Sequence, residues 1–127
     1  HGFRPLVDID PASYTVPHCA GTTALYDAAF AAISATNAYG KTLADQDYLV
    51  NALVVIVTDG EDNDSRMRPA DVKREIASTI SGETLESLRT ILVGVNAGSC
   101  ARALADFQVE AGIDQYVDIA DATPQRL

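Results

Sequence analysis

Cysteine is scarce in this chain, with Cys19 and Cys100 the two in 127 residues. Two are too few for a disulfide scaffold or a zinc ribbon, and neither belongs to a CxxC pair. Redox compartment therefore stays open. Long apolar runs are also missing: none approaches the roughly 20 residues that cross a bilayer. The first residues do not resemble a secretory leader, and the opening on His1 reads as a cut or processed end. Basic side chains are outnumbered, nine against 18 acidic, for a net charge of −9. Like charge opposes a nucleic-acid backbone or an anionic membrane as the main partner. The surplus of carboxylates suits cation binding, or serves solubility alone. No GxxxxGK[ST] phosphate loop is present.

What is there fits one globular domain, with 47% apolar and 21% charged residues in a length that supports a core. Residues 1–20 read as irregular, with three of the five prolines (Pro5, Pro11, Pro17) and one candidate short strand, "PLVDI". "TTALYDAAFAAISATNAYG" reads as a helix. Leu25, Ala28, Ala29, Ala32 and Ile33 share one face, Thr22 or Thr23 is placed to cap it, Asp27 favours its first turn and Gly40 is placed to end it. Its many alanines allow close approach to a sheet. Ala52 to Thr58 reads as a strand apolar on both faces, as parallel strands between helices are. Pro69 opens a second helix with a Val72, Ile76, Ile80 stripe. "TILVGV" (Thr90 to Val95) is a second two-sided strand. Ser99 is placed to cap a third helix, Ala101 to Ala111, stopped by Gly112. "QYVDI" is a shorter third strand, and "ATPQRL" the first turn of a further helix. Strands and helices in alternation imply right-handed βαβ units. The expected fold is α/β: a partial doubly wound, Rossmann-like parallel sheet with flanking helices. Binding loops in such sheets follow the carboxyl ends of the strands.

One such loop is strongly acidic. "ALVVIVTDGEDNDS" places Asp59, Glu61, Asp62 and Asp64 on the turn after a buried strand. Crowded carboxylates raise one another's pKa, and a hard divalent ion with oxygen ligands relieves the repulsion. The same residues also serve as turn formers and helix caps in solvent. An EF-hand starting at Asp59 is excluded, since its sixth and twelfth positions would be Asp64 and Ala70 rather than glycine and glutamate. A magnesium-dependent phosphoryl-transfer or hydrolytic enzyme is the alternative, because Asp-rich strand tips hold magnesium in such folds. Thr58 and Asp59, or a His18–Cys19 thiol, would then supply the chemistry. No lysine or histidine is suitably spaced beside the acidic loop.

"GTTALYDA" (Gly21 to Ala28), followed about thirty residues later by "VIVTDGEDN" (Val55 to Asn63), resembles the von Willebrand factor type A domain. "LRTILVGVN" and "EAGIDQYVDI" resemble that family's later strands. The resemblance covers the chain from Gly21 onward. It implies a doubly wound α/β domain with a metal-ion-dependent adhesion site, and hence a non-enzymatic protein-binding module holding Mg²⁺, or Mn²⁺ or Ca²⁺. By the resemblance, the metal residues are Thr23, with Thr22 its rival, and Asp59. A carboxylate of a protein partner would complete the octahedron. Thr22, where it is not the ligand, and Asp27, Glu61, Asp62, Asn63 and Asp64 would form the rim or second shell.

The family's Asp-x-Ser-x-Ser loop has no counterpart here. The nearest fragments, "DIDPAS" and "DIADAT", lack the serine pair. The family's early strands and first helix also have no room in residues 1–20. The chain therefore reads as a fragment of a longer domain or a rearranged relative, expected to bind ions weakly or not at all by itself. In the family, the strand matching Ala52–Thr58 pairs with the first strand. Without that neighbour, its edge is expected to drive self-association, most simply as a two-fold dimer. Cys19 and Cys100 would both lie at the top of the sheet, as a disulfide, as reactive thiols or as two unpaired structural thiols.

Overall fold

Three runs of apolar, largely β-branched residues become the strands of a single parallel sheet. The structure is a computed structural model, and it describes residues 2–15 and 21–120. The strands are β1 (Asn51–Thr58), β2 (Ser87–Val95) and β3 (Gln115–Ile119), in that spatial order. The helices are α1 (Leu25–Ala44), α2 (Pro69–Ser81) and α3 (Ala101–Ala111). The fold is α/β, with a partial Rossmann-like parallel sheet flanked by helices. Val54 sits beside Thr90, Ile56 beside Leu92 and Leu92 beside Tyr116.

Right-handed crossovers that step the same way along a sheet put their helices on the same side. Here α2 packs against both α1 and α3, and the three share one core with Val54, Ile56 and Leu92. Even-numbered residues of β1 and β2 face that core. Ala29, Ile33, Val72, Leu92, Leu104 and Phe107 are essentially inaccessible. Burying each large apolar side chain contributes about 1.5–3 kcal/mol.

Several expectations hold at the residue level. Pro69 opens α2, Gly112 ends α3 in a left-handed conformation (φ 67°), and β3 is the "QYVDI" segment. Others are corrected. β1 is not buried on both faces among the described residues: Leu53, Val55 and Val57 are 62%, 50% and 63% exposed. The described helices cover only the other face. Gly40 does not end α1, which continues to Ala44. Gly40 is buried, and a β-carbon there would collide with the Leu85 Cδ2. It is a close-approach position inside the helix. The α2 stripe is Val72, Ile76 and Thr79, with Ile80 59% exposed. Seven residues make nearly two full turns, so position 79 returns to the face of position 72 and position 80 overshoots it. β2 begins three residues before Thr90, at Ser87. Cys100, rather than Ser99, is the cap residue of α3. "PLVDI" is no strand: Leu6–Asp8 and Pro11–Ser13 form two isolated 3-10 turns without a buried residue. The "ATPQRL" turn lies outside the described residues.

Gly94 of β2 lies where α3 and β3 converge. A β-carbon there would meet the Tyr116 hydroxyl at 2.9 Å and both Ala97 and Leu104 at 3.0 Å. Gly94→Ala is expected to lower unfolding free energy by about 1–3 kcal/mol through overpacking. Gly98→Ala, with nothing within 4 Å, should move it by less than about 0.5 kcal/mol in the same urea titration.

Candidate functional site

β1 ends in a tight turn built on Thr58. Its buried hydroxyl donates to the Gly60 carbonyl (2.8 Å) and accepts from the Gly60 N–H (3.2 Å). The turn leaves Asp59 exposed at the carboxyl end of the sheet. Gly21 (φ 107°) leads the chain into α1 on the opposite side of the same opening. A cleft of about 620 Å³ lies between them, lined by Thr22, Thr23, Leu25, Ala28, Val57 and Asp59 among others. A β-carbon on Gly60 would come within 3.9 Å of the Thr23 hydroxyl. Thr23 and Asp59, 36 positions apart in sequence, thus share one cavity.

The threonines do not cap α1. Its cap residue is Ala24, which has no side-chain acceptor. The first-turn N–H groups of a helix need partners, and its N-terminus carries partial positive charge. The acidic loop supplies both needs. Asp62 accepts from the Tyr26 N–H (3.2 Å), the Ser65 hydroxyl accepts from the Asp27 N–H (3.0 Å), and the Asn63 side-chain oxygen accepts from the Thr23 N–H (2.7 Å). The Thr22 hydroxyl likewise donates to Asp64 (2.7 Å). The ties run the other way as well: Asp27 accepts from the Arg66 and Met67 N–H groups (3.0 and 2.7 Å), and the Asn63 N–H donates to the Thr23 carbonyl (2.9 Å). Ser65 also hydrogen-bonds Asp62 through its hydroxyl.

Five of the expected rim residues (Thr22, Asp27, Asp62, Asn63 and Asp64) are therefore occupied by this clamp. Asp59 and Glu61 make no hydrogen bond or ion pair within the described residues and point their charge outward. Ser65 is the clamp member that sequence reasoning missed, and its Asp-x-x-Ser spacing from Asp62 is the signal that carried it. Beneath the loop, burial raises the Tyr26 phenol above its ordinary pKa, and the carboxylates of Asp62, Glu110 and Glu61 raise it further. Its ring packs on Phe107, centroids 4.5 Å apart.

Thr23 and Asp59 would offer two oxygen donors to an ion that takes six, so the fit to a resident Mg²⁺ is partial. Among the described residues no group of three or more His, Cys, Asp or Glu side chains converges to hold a metal. Cys100 is a free, buried thiol at the start of α3. Cys19 and His18 lie outside the described residues. No protein-family model, curated protein or solved structure matches the chain.

The clamp makes Asp27 a structural residue. Asp27→Ala should cost about 1–3 kcal/mol, because two loop N–H groups lose a charged acceptor. Asp59→Ala removes no hydrogen bond and should leave stability within about 0.5 kcal/mol. Chemical denaturation of the two variants side by side tests the assignment.

Proposed function

We propose that the chain is a non-enzymatic protein-binding module whose contact surface is the β1 edge and the Thr23–Asp59 cleft above it. The observation that carries this reading is the state of β1. Three of its apolar side chains, Leu53, Val55 and Val57, are half exposed or more beside a strand edge that no other described strand pairs. Exposed apolar strand edges recruit other chains. Asp59 is the one ionisable side chain among the described residues lining the cleft, beside the side chains of Thr22 and Thr23. The partners are a second copy of the chain at the strand edge and, at the cleft, a protein carboxylate.

A divalent ion held by Thr23 and Asp59 is the contribution that the resemblance adds. A cation there would neutralise Asp59 and favour an acidic partner. Alone, two donors compete poorly with the water shell of Mg²⁺, which dehydrates reluctantly. Calorimetric titration with Mg²⁺ and Mn²⁺ should therefore give dissociation constants no tighter than about millimolar. Asp59→Asn should abolish that weak binding, Thr23→Ala should weaken it, and Asp64→Asn should leave it unchanged. Micromolar affinity, or binding that survives Asp59→Asn, would remove the ion from the proposal.

A further inference from the structure

The self-association half of the reading above can be given a geometry, and this inference rests on that half. Among the described residues β1 is hydrogen-bonded to β2 alone, so its other edge presents N–H and C=O groups that no described strand pairs along Asn51–Thr58. Three adjoining cavities, of about 620, 410 and 260 Å³, follow that edge between β1 and α1. Ala28, Ala32 and Ala35 of α1 form the wall of the two larger ones. Beside the Ala28–Ala35 stretch the groove is walled by small side chains, while Gly2 and Phe3 of the N-terminal segment and Tyr39 and Leu43 of α1 line its other end.

The edge is also complementary to itself. In an antiparallel pair, residues directly opposite one another point to the same face of the sheet. The core-facing residues of β1 are even-numbered, and its exposed ones are odd-numbered. A joint that keeps the cores on one side must therefore pair even with even and odd with odd. Centred on Val55, this pairs Val55 with its own copy, Leu53 with Val57, Val54 with Ile56 and Ala52 with Thr58. The polar ends then meet each other, with the Asn51 amide opposite the Asp59 carboxylate. Centring one core-facing residue later would set Asp59 against Leu53. Centring one earlier would set Asn51 against Val57. The Val55 axis also places the two α1 helices side by side, where Ala28, Ala32 and Ala35 leave room for close approach.

We infer that two copies of the chain join through β1 in an antiparallel pair centred on Val55, forming one continuous six-stranded sheet across a two-fold axis. Analytical ultracentrifugation at micromolar protein should give a mass twice the 13.5 kDa of the chain. Val55→Lys sets two like charges against each other on the axis, and should reduce the mass to that of one chain. Leu53→Lys with Val57→Lys should do the same. Leu53→Lys with Val57→Glu creates two Lys–Glu pairs across the joint and should keep the doubled mass. These side chains are half exposed or more, so each variant should keep its helical circular dichroism. A monomeric parent chain would overturn both this inference and the self-association it rests on. A doubled parent mass with no loss in the lysine variants, or with loss in the Lys–Glu variant, would overturn this joint and leave self-association standing.

Discussion

The loop after β1 and the first turn of α1 satisfy each other, and the upper end of the molecule depends on that exchange. A helix of 20 residues that starts at an alanine cap residue has donors to place and a positive end to neutralise. Asp62, Asn63 and Ser65 take those donors, while Asp27 returns the favour to Arg66 and Met67. The crowding of carboxylates after an apolar strand thereby has a physical explanation that requires no ion. Negative groups gather where a helix terminus and loop amides offer positive charge. What remains outside the clamp, Asp59 and Glu61, is a far smaller acidic site than the sequence suggests.

The same clamp fixes α1 above β1, and so shapes the groove along the open edge. The helix turns Leu25, Ala29 and Ile33 into the core and leaves Ala28, Ala32 and Ala35 beside the strand. Phe3 stacks on Tyr39 at the far end, with ring centroids 4.4 Å apart. The groove thus runs from an aromatic pair at one end to the Thr23–Asp59 cleft at the other. The sheet pays for this openness in exposed Leu53, Val55 and Val57, a face that a second layer would normally cover.

Much of the fold was legible because its signals are local. Gly112 stops α3, Pro69 opens α2, and the β-branched runs mark the strands. The misread positions depend on distant partners. Nothing within a few residues of Gly40 reveals that Leu85, 45 positions away, needs its missing β-carbon. "PLVDI" has strand chemistry but no strand beside it, and Pro5 feeds it into a turn. The two-sided apolar pattern of β1 reports the environment the sequence is suited to, and the described residues supply only half of it. At the site, Thr23 and Asp59, the two residues that the resemblance singles out, line one cavity. The clamp escaped because it is a set of reciprocal hydrogen bonds across a long stretch of chain, each built from ordinary turn residues.

The clamp's ties span 36 to 42 positions, and this has a consequence for how the chain reaches its fold. Closing a loop of that size costs entropy before any hydrogen bond repays it. α1 can gather its own turns early, yet its first turn lacks partners until β1 has docked and delivered residues 62–67. The upper rim therefore orders late, after the helix and strand have found each other. During synthesis from the N-terminus, α1 emerges well before the segment that caps it. Until then its leading turn frays, and the rim is the last part of this half of the molecule to acquire protection from amide exchange.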